Sequence, residues 1–414
     1  MCRKVLLPTS LCLGCWLLLL PTYQAGQPSG KDTGGIDPKV IEAWEKAGAK
    51  FGWLFHDALG YPLISPTRPQ GSPAVPGFRV PQGFSTKLKD LPAPAVPFAL
   101  SFAFVPVKDG DLKELAGLKH LQALDLGNTK TTDLGLKELA GFKQLKTLSL
   151  RVTPITDQGL KELAGLQQLE TLNLSFTSIT DAGLKELAGL NKLQSLYLGG
   201  TKAGGPGLKE LAGLKQLETL DLSFTKITAA GLMELAKLKQ LRNLNFMNAP
   251  IDDPTVKMLA GFKELEALNL GTTAITDPGL KELAGLRQLT RLDLSNTKIS
   301  DAGLNALAAL QELKTLNLTL TVIGDAGIME LAGLKKLQVL YLRGTTITNA
   351  GVKELAGLKD LRMLDLGNTK IGDPGLKALY GLKQLAKLYL DGSNASPTAV
   401  TELRKALPKL EVKR

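Results

Sequence analysis

The sequence predicts an α/β solenoid in which very short parallel strands run along one side and short helices along the other. Three observations carry this. The pattern Leu-x-x-Leu-x-Leu at Leu121, Leu124 and Leu126 returns at Leu145, Leu169, Leu193, Leu217, Leu241, Leu265, Leu289, Leu313, Leu337, Leu361 and Leu385, giving twelve repeats of 24 residues with no insertion or deletion. Such a fixed period is the mark of a stacked-repeat architecture. Within each repeat the Leu-x-Leu alternation places two side chains on one face of a strand, and Gly135, Leu136, Leu139 and Phe142 follow at helical spacing. The chain has 414 residues, of which 44% are hydrophobic and only 5% aromatic, so its core is aliphatic. That length exceeds a usual domain of roughly 100–200 residues. A repeat array tolerates it, because each repeat touches only its neighbours.

In chain order, the first segment reads as an address. Arg3 and Lys4 precede a largely apolar run from Val5 to Leu20, and cleavage after Ala25 would leave Gly26 as the first residue. Residues 1–25 are therefore expected to be a secretory signal peptide. Tyr23 suits the small-residue rule badly, so an uncleaved anchor is the alternative, and membrane contact is expected only if the segment is retained. All three cysteines, Cys2, Cys12 and Cys15, lie here. The rest of the chain can form neither a disulfide nor a cysteine-ligated zinc site. Export without cysteines suits a bacterial envelope, periplasm or extracellular setting.

Residues 26–96 are expected to form a helix followed by a Pro/Gly-rich linker or cap. Val40, Ile41, Trp44, Ala47, Phe51 and Leu54 keep helical spacing over Pro38 to Trp53. Asp37 is placed as its N-cap and Pro38 as its first residue. The composition of 62–97 predicts an extended segment. Trp44, Trp53 and Phe55 either cover the open end of the solenoid or line a ligand site.

The repeats fill 97–414, with partial ones at the ends (Pro97, Leu100 and Phe102; Leu407, Leu410 and Val412). The run Leu217-Glu218-Thr219-Leu220-Asp221-Leu222-Ser223-Phe224-Thr225 and the segment Ile179 to Leu184 resemble leucine-rich repeats of the F-box and ribonuclease-inhibitor-like class. The uniform repeat length and the export signal resemble exported bacterial members. The resemblance implies a leucine-rich repeat solenoid that binds other proteins. Parallel strands stack at about 4.8 Å while helices need about 10 Å. The sheet should therefore line a concave side and the helices a convex one. Asp133 and its equivalents are expected as helix N-caps and Gly141 as a helix stop. The threonine column running from Thr129 to Thr369 is expected to satisfy backbone groups in the turns.

No catalytic constellation emerges: there is no nucleophile elbow, P-loop, dinucleotide fingerprint or His-rich motif. His56 and His120 stand in no metal-ligand spacing. Asp125, Asp221, Asp293 and Asp365 share one strand column, expected to be exposed. Three or four repeats separate them, too far to converge on one bond. We therefore expect no enzyme activity, no cofactor and no metal. The net charge is +11, but the lysines alternate with glutamates, as in Lys137-Glu138. With few aromatics, this reads as a solvated face and not a nucleic-acid site. Repeats 193–216 and 241–264 depart most from consensus and are expected to be the weakest.

The expected function is a non-enzymatic scaffold that binds a protein or an envelope polymer through the concave face. The alternative is a structural envelope spacer without a specific ligand. Two groups stand out against small, neutral strand positions. The first is Arg151, Phe176, Tyr197 and Phe224 on successive repeats, spanning roughly 14 Å. The second is Tyr341, Arg343 and Tyr389, together with Leu320 and Met363. Tyrosine and arginine often carry binding energy at interfaces. The export reading has a direct check: N-terminal sequencing of the fractionated protein should find Gly26 first, outside the cytoplasm. An intact N-terminus in the soluble cytosol would overturn it.

Overall fold

A computed structural model describes residues 32–56, 62–69, 74–84 and 87–414; the expected signal segment, with its cysteines and its expected cleavage site, lies outside the described residues. The chain divides into two compact units, Met1–Thr201 and Lys202–Arg414, and the division falls in the glycine-rich turn of repeat 193–216.

Among the described residues of the first unit, the first element is a helix over Pro38–Lys46, shorter than the expected Pro38 to Trp53. Asp37 accepts from the Lys39 N–H at 2.8 Å, as its N-cap position requires. Gly48, at φ +100°, then turns the chain, and Phe51, Trp53 and Phe55 follow with the alternation of a strand. This is β1 (Lys50–His56), which pairs antiparallel with β2 (Pro62–Ser65) and β3 (Val75–Arg79). Residues expected to be an extended linker thus include two strands. Their pairing, of β2 and β3 with β1 and of β3 with β4, is not something composition reveals. Trp44, Trp53, Phe55 and Phe78 are buried. Trp44 stacks on Phe78 at 4.5 Å between centroids, and its indole N–H donates to the Pro92 carbonyl at 2.9 Å. These aromatics are core.

β3 runs parallel to β4 (Phe98–Ser101), and β4 to β5 (Leu121–Asp125), β6 (Thr147–Ser149), β7 (Thr171–Asn173) and β8 (Ser195–Tyr197). The constant 24-residue period puts Leu124, Leu148, Leu172 and Leu196 opposite one another. In the second unit β9 (Thr219–Asp221), β10 (Asn243–Asn245), β11 (Ala267–Asn269), β12 (Arg291–Asp293), β13 (Thr315–Asn317), β14 (Val339–Tyr341), β15 (Met363–Asp365), β16 (Lys387–Tyr389) and β17 (Glu411–Lys413) form a parallel series in the same register. The consensus leucines of strand and helix point inward and are buried.

The helix starts differ from the sequence expectation. The N-cap is the preceding threonine: Thr132 and Thr156 accept from the Leu134 and Gln158 N–H groups, each at 3.3 Å. The aspartate is the first helical residue, and its carboxylate belongs to the next repeat. Asp133 accepts from the Thr156 N–H at 2.8 Å and the Thr156 hydroxyl at 2.5 Å. Asp157 does the same with Thr180, and Asp277 with Ser300. This link also explains the glycine in the following helix. A Cβ on Gly159, Gly183 or Gly303 would collide with the Asp133, Asp157 or Asp277 carboxylate. Gly165 and Gly285 stand where a helix stops but not in the left-handed conformation. Their carbonyls accept from Lys143 and Lys263 of the repeat before, at 3.3 and 3.4 Å. Threonine hydroxyls of the turn column bond as expected, for example Thr177 to the Leu174 carbonyl at 2.6 Å.

The irregular repeats lack the carboxylate link. Gly205 stands in one aspartate position, and Thr228 donates instead to the Gly204 carbonyl at 2.8 Å. Ala229 stands in the next, and there the glycine position holds Thr255. Thr255 closes a local capping box with Asp252. At Ala229 carboxylate and glycine are both gone; at Gly205 the glycine, Gly231, remains, and a Cβ there would meet the Gly204 carbonyl instead. A double-mutant cycle tests the steric coupling of carboxylate and glycine. Asp277→Ala should lower stability in urea unfolding by about 1.5–3 kcal/mol, the range for hydrogen bonds to a charged group. Gly303→Ala should destabilise the parent protein but cost much less in the Asp277→Ala background. Additive effects would refute the coupling.

Candidate functional site

The strand side is built from columns, each one residue type per repeat. At the strand ends stand Asp125, Asn173, Asp221, Asn245, Asn269, Asp293, Asn317 and Asp365. Each accepts from the N–H two residues on, as Asp125 does from Gly127 at 2.9 Å and Asn269 from Gly271 at 2.8 Å. This bond starts a turn whose next residue has positive φ: Asn128, Asn248, Asn296 and Asn368 lie between 51° and 56°. Asparagine and glycine suit that left-handed conformation.

In other repeats the same position holds bulky apolar side chains, namely Phe104, Val152, Phe176, Phe224 and Leu320, at φ 65°, 55°, 58°, 56° and 56°. All are substantially exposed, from 38% for Val152 to 57% for Leu320. Sequence reasoning missed Phe104 and Val152. The signal was present: a column that mixes asparagine and glycine marks a left-handed position, and large side chains in it are exceptions.

The expected exposed aspartate column is buried. Asp125, Asp221, Asp293 and Asp365 are each 9% exposed or less, and Ser149, Asn173, Asn269 and Asn317 are equally covered. Strands about 4.8 Å apart let short side chains of neighbouring repeats shield one another. Burial raises the Asp125 carboxyl against the Gly127 N–H and the Ser101 hydroxyl, which lower it. It pushes Asp221 up to about 6 despite the Ser223 N–H and hydroxyl. Among the described residues no group of three or more His, Cys, Asp or Glu side chains is placed to hold a metal ion.

The predicted residues separate by burial. In the first unit Arg151 lies over the Phe176 ring at 5.2 Å, and Phe176 in turn covers Gly200, where a Cβ would meet the ring. Tyr197, expected to be exposed, is buried beside Asn173. Phe224 is half-exposed in the second unit. Tyr341, also expected to be exposed, is only 1% so. It lies between Asn317 and Asp365 on adjacent strands, and its hydroxyl contacts Met363 Sδ at 3.3 Å. Arg343 bonds Asp365 at 3.1 Å and also Asp391, stretching across bare Gly367. Tyr341 and Arg343 therefore stitch neighbouring repeats together. Tyr389 is partly covered, and burial, then Glu411, raises its phenol.

Asp221 offers a pH test. Its folded value near 6 lies above the unfolded 3.8, so the folded chain holds the extra proton between these values. Its contribution is greatest below the unfolded value and is lost as pH rises through the folded one. Asp221→Asn keeps the acceptor for Ser223, as Asn173 does for Ser175. It should stabilise the protein at neutral pH by up to about 3 kcal/mol. The gain should vanish below about pH 4. A pH-independent gain in chemical denaturation would contradict this.

No curated protein matches the sequence. A family model described as "Leucine-rich repeat region" matches residues 99–350, and a second, "Leucine rich repeat", matches 335–395. Among solved structures, an internalin (inlF) from Listeria monocytogenes is 22% identical, covering 74% of this chain and 88% of its own, with a TM-score of 0.53. A leucine-rich repeat protein of Leptospira interrogans is 24% identical, covering 77% and 96%, with a TM-score of 0.44. An internalin C2 from Listeria monocytogenes is 29% identical, covering 50% and 82%, with a TM-score of 0.40. The likeness to the first shows the fold. The match across more than half of the chain agrees with the inward leucines and the in-register strands: the chain belongs to the leucine-rich repeat proteins.

Proposed function

We propose that this chain is an exported, non-enzymatic scaffold that recognises a protein, or a polymer of the cell envelope, on its strand side. Leucine-rich repeat scaffolds typically mediate protein binding. The single observation that carries the reading is the set of bulky apolar residues in the left-handed position. Holding a side chain such as Phe176 or Leu320 there costs roughly 1–2 kcal/mol relative to glycine. Partial burial, as of Phe176 over Gly200, offsets that cost, yet each of these side chains keeps 38–57% of its surface in solvent. Strain kept at an exposed site points to function. A spacer without a ligand has no use for it, and Asn128 and Asn368 fill the same position without strain.

The contact residues on this reading are Arg151 and Phe176 in the first unit and, separately, Phe224 and Tyr389 in the second. Tyr197, Tyr341 and Arg343 support the surface from beneath. Residues 32–96 serve as a cap: β3 pairs with β4, and the Trp44–Phe78 stack replaces the leucine core. Export rests on the first 25 residues. Among the described residues no helix is long and apolar enough to cross a membrane.

Photo-crosslinking in the native cell envelope tests the reading. A benzophenone amino acid at position 176 or 320 should yield a discrete adduct, and the same probe at the helix-side position 161 should not. Adducts only from position 161, or none at all, would favour the spacer.

A further inference from the structure

In the second unit one outward row crosses β9 to β13: Thr219, Asn243, Ala267, Arg291 and Thr315, each opposite the next. Arg291 reaches past the small Ala267, and its Nη2 donates to Asn243 Oδ1 at 3.1 Å, two strands away. Asn243 in turn donates from Nδ2 to the Thr219 hydroxyl at 3.1 Å. Two other arginines of this unit are matched by acids: Arg343 by Asp365 and Asp391, and Arg242 by Glu266. Among the described residues Arg291 forms no ion pair. It is partly covered, and its Nε is enclosed without a hydrogen-bond partner. The same holds for Nδ2 of buried Asn269, two residues along β11 from Ala267. Both unmatched atoms are donors. The nearby acids do not match them. Asp293, on the same face of β12, accepts from the Ser295 N–H at 2.9 Å and from Asn317 at 3.0 Å. These acids keep their charge, so the region is not a basic field. For the Arg291 guanidinium itself the balance is still unfavourable: burial holds it below its ordinary value, and the attraction of Glu266 offsets only part of that.

We propose that Arg291 receives one carboxylate of a bound protein segment on the strand side of the second unit. A partly desolvated cation without a counter-ion is costly, and a carboxylate supplies both the counter-ion and the acceptor that this row lacks. The planar guanidinium fork matches the two carboxylate oxygens. A neutral carbonyl would supply an acceptor and no counter-ion. A phosphate dianion needs more positive charge than one guanidinium beside Glu266 and Asp293 provides. The arginine stem lies over a methyl group, so the fork turns toward a ligand without any strand moving. The inference rests on the reading that the chain binds a protein, and it names one group of the bound segment.

Two measurements on the full chain test this. The first is thermal stability. Arg291→Met keeps the stem and deletes the unmatched charge, so it should melt no lower than the parent. Arg343→Met, which breaks two ion pairs, should melt lower. The second is anisotropy titration with fluorescent peptide pools that have random neutral flanks and amidated C-termini. The pool with central Glu should bind at least about tenfold more tightly than the pool with central Gln, a difference of about 1.4 kcal/mol. That preference should vanish in Arg291→Met. A Gln pool with a free C-terminus distinguishes a side-chain carboxylate from a chain end, and a preference for either over the amidated Gln pool supports the proposal. Equal binding of all pools, no binding, tighter binding of a central phosphoserine pool, or a preference that survives Arg291→Met would overturn it. So would a fall in melting temperature in Arg291→Met as large as in Arg343→Met. The two readings fail separately. A crosslinked protein partner at position 320 alongside no preference among the pools removes the carboxylate and leaves the scaffold reading standing.

Discussion

In most repeats a carboxylate placed at the first residue of a helix is bonded into the next repeat and holds the helix side in register. Leucine burial supplies the larger energy, about 1.5–3 kcal/mol for each side chain, but it is non-directional and would tolerate sliding. The carboxylate bonds are directional. Asp133 reaches both polar groups of Thr156, and Asp277 both of Ser300. The glycine two residues into the following helix is the steric counterpart of this bond. Where Ala229 removes the carboxylate, Thr255 takes the glycine position and caps its own helix with Asp252. The helix starts between Gly205 and Thr255 rest instead on packing, on the Thr228 N–H bond to the Gly204 carbonyl and on local side-chain caps by Thr228 and Asp252.

On the strand side a second constraint governs. Each strand is three residues long in most repeats, and a buried Asp or Asn ends it by accepting from the N–H two residues on. The chain then passes through a left-handed residue whose N–H bonds to the following repeat, as Val152 does to the Ser175 carbonyl at 2.9 Å. The position is structurally indifferent to side-chain size as long as the side chain points outward. Phenylalanine, valine and leucine there cost backbone energy and stay in water. That combination separates the surface from the core: inward leucines are explained by packing, whereas outward bulky residues pack only in part, as Phe176 does over Gly200 and Leu320 over Gly344.

The repeat, its phase and its core were legible because a 24-residue period repeats the same local pattern twelve times. The N-terminal segment was not. Its helix reading ran past Lys46, because Phe51 and Leu54 fit helical spacing as well as strand alternation, and only pairing with β2 and β3 decides between them. The aspartate role was misread by one residue. Thr132 and Asp133 are both good cap residues, and the carboxylate's true acceptor role lies 23 residues away in the next repeat.

The sequence by itself determined the solenoid class, the inward leucines, the turn threonines and the lack of recognised catalytic motifs, because each follows from short-range pattern and residue chemistry. Only the tertiary structure decided which strand-side residues meet solvent. Alternation says that Asp221, Asn269 and Tyr341 point away from the leucine core. It does not say that a neighbouring strand about 4.8 Å away on each side covers them. That lateral spacing buries the column once read as exposed and leaves the left-handed rim beyond it as the accessible surface.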